Sequence, residues 1–309
     1  MQLEFLGVAD PSNTGDADLE TMADALNESG LYRVLRRLRQ RSVIEDPDGS
    51  ETRVGLFLDV ETTGLDPAVD EIIELAMVPF TYGVDGRIFE VRDAFQGLRQ
   101  PNNPIPPEIT ALTGITDQMV AGQSIELAEV EAFTNDAALV IAHNAAFDRR
   151  FTERLTDIFV AKPWACSMTQ IDWGAEGYEG TKLAYLVMGA GFFYERHRAV
   201  QDCLAAIELL SMPLPKTGGR AMGRLLEQAR RPSWRIWAEN APFEVKDVLK
   251  ARGYRWNANG TASPRAWYID VPDDIREKEI AYLKTSIYQG EVTPAVRKIT
   301  AYERFSDRC

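Results

Sequence analysis

The sequence predicts a mixed α/β protein, in which helices cover both faces of a mixed sheet and a small α+β domain follows. The 309-residue chain exceeds the roughly 100–150 residues typical of one domain, which favours two domains with extensions. Three strand patterns are followed by alternating helix and strand patterns, an order that favours a mixed sheet with helices on both faces. Residues 212–220, which are rich in proline and glycine, then separate a second group of short patterns.

Residues 51–212 are predicted to form the main domain. The apolar run at 54–60 suits a buried strand, and two further strands are expected at 72–82 and 87–95, joined by a turn at 83–86. Apolar residues at helical spacing and one more apolar run complete the domain. They predict helices at 104–114, 125–135, 145–159, 182–188 and 199–210, and a strand at 138–142.

Residues 1–50 are predicted to be an N-terminal helical extension. Apolar residues recur at helical spacing from 18 to 39, with an interruption at Ser29 and Gly30, and turn-forming residues at 46–50 mark the boundary. The start of the chain lacks the basic segment and apolar core of a signal peptide, so none is expected. The extension either docks a partner or packs on the main domain, and we favour packing. Its basic side chains are Arg33, Arg36, Arg37, Arg39 and Arg41.

Residues 213–233 are predicted to be a linker that contains a short helix, and residues 234–309 a small basic α+β domain. Gly253 is typical of the residue that ends a helix. Asn259 and Gly260 are typical of a tight turn between two strands. Strands are predicted at 234–237, 254–257 and 267–271, and helices at 243–251 and 273–288.

The composition is that of a soluble globular protein, with 45% hydrophobic and 26% charged residues. No apolar run approaches the roughly 20 residues that a membrane-spanning helix needs, so no membrane partner is expected. The three cysteines are widely spaced and only two histidines accompany them, which argues against a structural zinc site. A reducing compartment is the default for such a chain, and we expect a cytoplasmic protein.

The charge of the chain is unevenly distributed. A net charge of −13 argues at first against a nucleic-acid partner, because binding phosphates requires lysine and arginine. However, residues 51–212 carry a net charge of −14, whereas residues 213–309 carry +6. The acidic and basic side chains therefore belong to different parts of the chain, and the average hides a basic unit.

Two carboxylates lie two residues apart on the first predicted strand, at Asp59 and Glu61. Because side chains alternate along a strand, both point to the same face. Two acids on one face of a buried strand repel each other and resist the loss of water, and a divalent cation would compensate for both effects. The alternative is an edge strand with a solvated acidic face, and these residues alone favour the two interpretations about equally.

Two further clusters contain both histidines of the chain. His143 and Asn144 lie at a strand-to-helix junction and Asp148 follows in the first turn of the helix. In that segment alone, a helix cap at Asn144 and a dipole interaction at Asp148 are the favoured interpretation. Asp202 lies in an apolar helix, where a carboxylate needs a partner, and His197 precedes that helix. A single histidine is more often a structural hydrogen-bonding group, but here both histidines accompany acids.

Together, the three segments resemble the DEDDh branch of the DnaQ-like exonucleases, which are similar to the proofreading subunit of bacterial replicative polymerases. The resemblance rests on D-x-E-T-T-G-L at 59–65, H-N-x-x-F-D at 143–148 and H-x-x-x-x-D at 197–202. It covers residues 52–212, roughly half of the chain, and all five core positions are present. The resemblance implies a ribonuclease-H-like mixed sheet flanked by helices, which agrees with the predicted strands.

The same resemblance implies a 3′→5′ exonuclease that uses two divalent cations, Mg²⁺ or Mn²⁺, and releases nucleoside 5′-monophosphates. Carboxylate oxygens suit such hard cations, and a histidine that titrates near neutrality suits a general base. The implied residues are Asp59, Glu61, Asp148 and Asp202 as metal ligands, with Asp59 bridging both ions, His197 as the base, Thr62, Thr63, Gly64 and Leu65 at the terminal nucleotide, and His143 and Asn144 near a phosphate.

DNA with a free 3′ end is the favoured substrate, in repair, proofreading or turnover. The catalytic residues do not distinguish the sugars, so an RNA-trimming exoribonuclease is the nearest alternative. The alternative from another class is a catalytically silent nucleic-acid-binding or scaffold protein on the same fold, but such proteins usually lose an acid and none is missing here. No clamp-binding or polymerase-binding motif is recognisable, which favours a free-standing enzyme over a polymerase subunit.

The segment 213–265 has a net charge of +7 and is rich in aromatic residues. Basic groups that follow a phosphate backbone, with rings that stack on bases, would form a platform for a single strand. The alternative is that the aromatic residues form the core of the small domain, which we favour for the tryptophans but less for the basic residues. Residues 241–257 resemble the C-terminal unit of exonuclease X-like proteins. The basic residues expected to guide the 3′ end include Lys250, Arg252 and Arg255.

Overall fold

The computed structural model describes residues 16–258, 264–290 and 292–308. Residues 1–15 and the turn predicted at Asn259 and Gly260 lie outside the described residues. Within the described ranges, no helix has the length and apolar character needed to cross a membrane.

The described residues form eleven α-helices and twelve strands. The helices are α1 Asp16–Glu28, α2 Pro107–Thr113, α3 Asp117–Val120, α4 Leu127–Asn135, α5 Ala145–Leu155, α6 Ile158–Ala161, α7 Leu183–Gly189, α8 Ala199–Ser211, α9 Ala221–Arg230, α10 Lys246–Ala251 and α11 Asp273–Tyr282. The strands are β1 Arg36–Arg37, β2 Thr52–Thr62, β3 Ile72–Gly83, β4 Ile88–Val91, β5 Phe95–Leu98, β6 Leu139–Ala142, β7 Trp164–Cys166, β8 Phe192–Phe193, β9 Ser233–Ala238, β10 Arg255–Trp256, β11 Trp267–Pro272 and β12 Val296–Ile299.

A six-stranded mixed sheet forms the centre of the main domain, in the order β4-β3-β2-β6-β7, with β5 also paired to β3. Strand β2 runs antiparallel to β3 and parallel to β6. Side chains of β2 alternate between two cores. Phe57 packs with residues of α7, α8 and α9 on one face, and Leu56 and Leu58 pack with residues of α4 and α5 on the other. The predicted mixed sheet with helices on both faces is therefore confirmed.

The N-terminal extension differs from the long helix that the sequence predicts. Helix α1 ends at Glu28, and Gly30 then adopts a left-handed conformation (φ 69°), which a continuing helix does not allow. The chain continues as β1, which pairs in parallel with β8. The arginines of this segment contact the main domain: Arg33 donates to the carbonyl oxygens of Met188 and Gly189, Arg37 pairs with Glu195 and Arg41 pairs with Glu208.

Two predicted elements of the main domain also differ, and one short strand was not predicted. The strand predicted at 87–95 is two strands, β4 and β5, because the exposed residues 93 and 94 separate their pairings with β3. The helix predicted at 145–159 ends at Leu155, and α6 follows as a separate turn. Strand β7 was not predicted, since three residues are too few for a periodic pattern.

A four-stranded antiparallel sheet in the order β10-β11-β9-β12 forms the small C-terminal α+β domain that the sequence predicts. Leu249 of α10 packs with Ile236 and Val271 of this sheet. The helix predicted at 273–288 is α11 followed by a π-helical turn over Leu283–Tyr288. Strand β12 was not predicted, because a four-residue pattern with two basic residues is too short to recognise.

The end of the chain attaches the C-terminal domain to the main domain. The guanidinium of Arg149, buried on α5, donates to the carbonyl oxygens of Ala301, Tyr302 and Arg304. The backbone N–H of Trp164 on β7 also donates to the carbonyl oxygen of Ala301, at 2.8 Å. The segment after β12 therefore lies against α5, the helix that carries Asp148.

Candidate active site

Three of the predicted metal ligands meet at the end of β2. Asp59 and Glu61 lie on the face of β2 that is covered by α8, and Asp202 projects from the first turn of α8. One carboxylate oxygen from each of the three residues lies within 4.8 Å of the others. The alternation of side chains along β2 thus brings Asp59 and Glu61 together, and the packing of α8 on this face adds Asp202.

Asp148 lies beside this group but is not one of the three. It is 2% exposed in the first turn of α5, and its Oδ1 accepts a hydrogen bond from the backbone N–H of Val60 at 3.3 Å. Because Val60 lies between Asp59 and Glu61, this bond fixes Asp148 against the same stretch of β2. The structure therefore places all four predicted acids around one end of the strand.

These acids are held in conditions that disfavour their charged forms. Burial, followed by the neighbouring carboxylates of Asp148 and Asp202, raises the pKa of Asp59 well above its ordinary value. Burial raises the pKa of Glu61 to about 8 and that of Asp148 to about 8, and it also raises the pKa of Asp202. Among the residues that the structure describes, none of the four forms an ion pair with a basic side chain within 4 Å.

The donor set fits a divalent cation. Hard cations such as Mg²⁺ and Mn²⁺ prefer carboxylate oxygens, and close carboxylates without a basic partner need a positive charge to ionise together. The three converging oxygens of Asp59, Glu61 and Asp202 provide such a set, with Asp148 beside them. The acidic cluster is therefore suited to hold metal ions at the end of β2.

His197 stands next to the acids on an unusual backbone. Its φ is 61°, in the left-handed region that few non-glycine residues adopt, and its backbone N–H donates to Oδ2 of Asp202 at 2.9 Å. Within the described part of the chain, its imidazole makes no hydrogen bond, and the residue is partly exposed. The ring is therefore available to exchange a proton beside the acidic cluster.

Two side chains at the site were not predicted. The hydroxyl of Tyr194 donates to Oδ1 of Asp202 at 2.6 Å, so that both oxygens of this acid are held by residues that precede α8. Glu74 is a fully buried acid of β3, directly opposite Glu61 on β2. An acid inside the apolar run of β3 is the same signal that drew attention to Asp59, whereas nothing in the sequence singles out Tyr194.

The loop after β2 forms a compact turn organised by Asp70. Oδ1 of Asp70 accepts from the hydroxyl of Thr63 at 3.3 Å, and Oδ2 accepts from the backbone N–H of Asp66 at 2.8 Å. A Cβ at Gly64 would lie 2.5 Å from Oδ1 of Asp70, so a larger residue at this position would have to displace the carboxylate. Thr62 is buried and donates to the carbonyl oxygen of Gly64, which leaves Leu65 at the tip, 81% exposed.

His143 holds a loop rather than pointing freely into solvent. Its Nε2 lies 2.7 Å from the carbonyl oxygen of Thr181 and its Nδ1 lies 2.8 Å from the hydroxyl of Ser167. Burial lowers the pKa of His143 to about 4, so the ring is neutral near pH 7, with the proton on Nε2. The next residue, Asn144, has a left-handed φ of 99° and an exposed side chain.

Comparison with known proteins shows the family to which the main domain is similar. The family model described as "Exonuclease" matches residues 56–210, which is half of the chain and includes all five predicted catalytic residues. Curated relatives include the PolC-type DNA polymerase III of Halalkalibacterium halodurans, 47% identical over 99 residues (31% of this chain and 6% of the relative). The DNA polymerase III subunit epsilon-like protein of Rhodobacter capsulatus is 32% identical over 218 residues (65% of this chain and 29% of the relative). The chain thus spans less than a third of the length of either relative.

Similar solved structures include two exonucleases in complex with DNA. Exonuclease X in complex with 5′ overhanging duplex DNA is 27% identical, over 56% of this chain and 98% of that chain, with a TM-score of 0.41. E. coli exonuclease I in complex with a 5cy-dT13 oligonucleotide is 16% identical, over 72% of this chain and 64% of that chain, with a TM-score of 0.47. With half of its length matched by the family model and the acids of its motifs gathered at one site, the chain belongs to the exonuclease family.

Proposed function

We propose that the chain is a metal-dependent 3′→5′ exonuclease that releases nucleoside 5′-monophosphates from DNA ends. The observation that carries the proposal is the convergence of Asp59, Glu61 and Asp202, with Asp148 beside them. The choice of DNA rests on the matched relatives, which are named as DNA polymerase III proteins. Two cations, Mg²⁺ or Mn²⁺, would be held by these four acids.

The bound cations would neutralise the negative charge that develops on the phosphate and on the leaving oxygen during hydrolysis. A water molecule attacks the phosphorus of the terminal phosphodiester, and a ring nitrogen of His197 takes the proton that this water loses. The bond from phosphorus to the 3′ oxygen of the preceding nucleotide breaks, and this oxygen takes a proton from solvent. The products are a nucleoside 5′-monophosphate and a strand with a new 3′-hydroxyl.

The loop after β2 would receive the terminal nucleotide. The exposed side chain of Leu65 provides an apolar surface for a base, and the turn formed by Thr62, Thr63 and Gly64 supports it next to the acids. The exposed amide of Asn144 would contact a phosphate. Since both ring nitrogens of His143 have partners, we assign to His143 a supporting role near that phosphate.

The test uses single- and double-stranded DNA and RNA, each labelled at the 3′ end, with Mg²⁺, Mn²⁺ or a chelator. We expect metal-dependent release of labelled mononucleotide from DNA, abolished by Asp59→Ala and unaffected by Glu129→Gln, which changes an exposed acid of α4. A substrate with an inverted 3′-terminal nucleotide should resist the enzyme. Faster release from RNA would favour RNA trimming, and binding without release from any substrate would favour a silent binding protein.

A further inference from the structure

Glu74 is a buried carboxylate of the active site that is not part of the metal-binding group. It is 0% exposed on β3, and it faces Glu61 across the β2–β3 pair. A buried carboxylate is tolerated only where donors or positive charge compensate for its lost hydration. The partners of Glu74 therefore indicate its role.

Three groups meet this carboxylate, and two of them follow His197 directly. Oε2 of Glu74 accepts from the backbone N–H of Ala199 at 3.2 Å, and Oε1 lies 3.7 Å from Nη2 of Arg198. The third partner is the side-chain amide of Gln96 on β5, which donates to Oε1. Glu74 thus connects the central sheet to the first residues of α8.

The contacts of Glu74 act on the backbone that carries His197. This residue has the left-handed φ of 61°, which is maintained only where the surrounding structure holds it. On one side its own N–H is bound to Asp202, and on the other side the N–H of Ala199 is bound to Glu74. The two carboxylates therefore fix the chain immediately before and after the imidazole-bearing residue.

We propose that Glu74 is a positioning residue of the exonuclease site, which holds His197 in place through Arg198 and Ala199. The proposal rests on the function proposed above, in which His197 takes a proton from the attacking water. It assigns to the buried acid of β3 an effect on the proton-transfer step. It assigns to that acid no contact with metal or substrate.

The isosteric change Glu74→Gln removes the charge that faces Arg198 and introduces an amide donor beside the donors of Arg198 and Gln96. We expect kcat to fall about tenfold, since a small misplacement of a catalytic group is costly, while KM changes less than about twofold. The half-saturating concentration of Mn²⁺ should also change less than about twofold. A parallel rise in the metal requirement would mean that Glu74 acts on the cations, and it would overturn the proposal.

The decisive measurement is a double-mutant cycle with His197→Ala under single-turnover conditions. If Glu74 acts through His197, Glu74→Gln should cause less than about a twofold further loss once the imidazole is absent. A further loss of about tenfold in that background would show an independent action and would overturn the proposal. Arg198→Gln provides a second variant, because this side chain is 42% exposed and its replacement leaves the buried acid in place. Arg198→Gln should lower kcat, and this effect should disappear in the His197→Ala background. If Arg198→Gln lowers kcat equally in that background, the proposal is overturned.

Glu176→Gln serves as the matched control. Glu176 is another buried glutamate of the main domain, and it accepts hydrogen bonds from Lys216 and Thr217. The Glu176→Gln variant should have a lower melting temperature but an unchanged kcat. If Glu74→Gln only lowers the melting temperature in the same way, the positioning role is wrong. Absence of metal-dependent cleavage by the wild-type chain would instead contradict the proposed function, so the two failures are distinguishable.

Discussion

The acids of the catalytic cluster and the buried acid of the C-terminal domain have opposite surroundings. In the main domain, Asp59, Glu61 and Asp202 converge without an ion pair to any described basic side chain, and burial raises their pKa values. In the C-terminal domain, the buried carboxylate of Glu279 receives the guanidinium of Arg252 at 2.8 Å and the hydroxyl of Tyr254 at 2.8 Å. Glu279 therefore already has a positively charged partner within the domain.

Asp270 follows the same rule as Glu279. It pairs with Arg235 at 2.7 Å and with Arg255 at 3.0 Å, and both guanidinium groups stack on the ring of Tyr268. Acids that pair with arginines of the same domain stabilise the fold, whereas acids without a basic partner can bind a cation from solution. The comparison also changes the expectation for the basic segment, because Arg252 and Arg255 already pair with Glu279 and Asp270.

The sharpest test of the comparison is the response of metal-free protein to pH. Asp148 has a pKa of about 8 in the folded chain and about 3.9 in an unfolded one. The folded state therefore keeps its proton while the unfolded state releases it, and stability falls as pH rises from about 4 to about 8. We expect Asp148→Asn to remove this loss and to raise the melting temperature at pH 8 by about 5 °C or more, with little change at pH 4.

The measurement is thermal unfolding with a chelator, and the difference between wild type and Asp148→Asn is the quantity to follow. His143 contributes with the opposite sign, since its pKa of about 4 lies below the ordinary value and stability is lost as pH falls from about 6.5 to 4. That contribution is common to both proteins and cancels. Mg²⁺ should restore the wild type at pH 8 but not stabilise Asp148→Asn to the same extent. Equal melting temperatures at pH 8 would contradict the unpaired state of the acids.

In the C-terminal domain, we expect that removing a residue of the buried pair lowers stability. Arg252→Ala removes the charged partner of Glu279 and leaves this buried acid its hydrogen bond from the hydroxyl of Tyr254. Since Arg252 is partly exposed, we expect a moderate loss of about 1–2 kcal/mol in the free energy of unfolding, independent of metal. Urea unfolding followed by tryptophan fluorescence measures it. Arg276→Ala is the control and should cost less, because Arg276 stacks on Trp234 and pairs with the exposed acids Asp273 and Glu277 rather than with a buried one. An Arg252→Ala protein of full stability that binds DNA more weakly would assign Arg252 to nucleic acid after all.

The sequence predicts the features that follow from local periodicity, such as the side chains that share one face of a strand. It does not predict contacts between residues that lie far apart in the chain. The alternation along β2 is sufficient to place Asp59 and Glu61 on one face, and the family motifs add Asp148, Asp202 and His197. Pairs such as Arg252 with Glu279 join residues far apart in the chain, so composition alone registered only the positive charge. The same limit applies to Arg149, whose partners are backbone oxygens near the end of the chain. Glu74 carried a usable signal, an acid in an apolar strand, but its meaning depends on Ala199 and Arg198.

The smallest expected effect concerns the basic side chains that remain unpaired. Lys250 is exposed and, in the described ranges, makes no ion pair, and Trp256 is 51% exposed beside Trp267. If these residues guide a single strand, Lys250→Ala should weaken binding about twofold and reduce the slope of log K against log salt by about 0.7. Trp256→Ala should weaken binding without changing that slope, because stacking releases no counterions.

Both variants are measured by fluorescence anisotropy with a labelled oligonucleotide, in an Asp59→Ala background that prevents cleavage. Lys278→Ala, an exposed lysine on α11, is the matched control for a loss of charge alone. If Lys250→Ala and Lys278→Ala change the affinity equally, the domain contributes only its average charge. If neither variant changes the affinity, the basic residues of this domain stabilise the domain by pairing with its own acids. The nucleic acid would then be attracted to the acidic site by the bound cations alone.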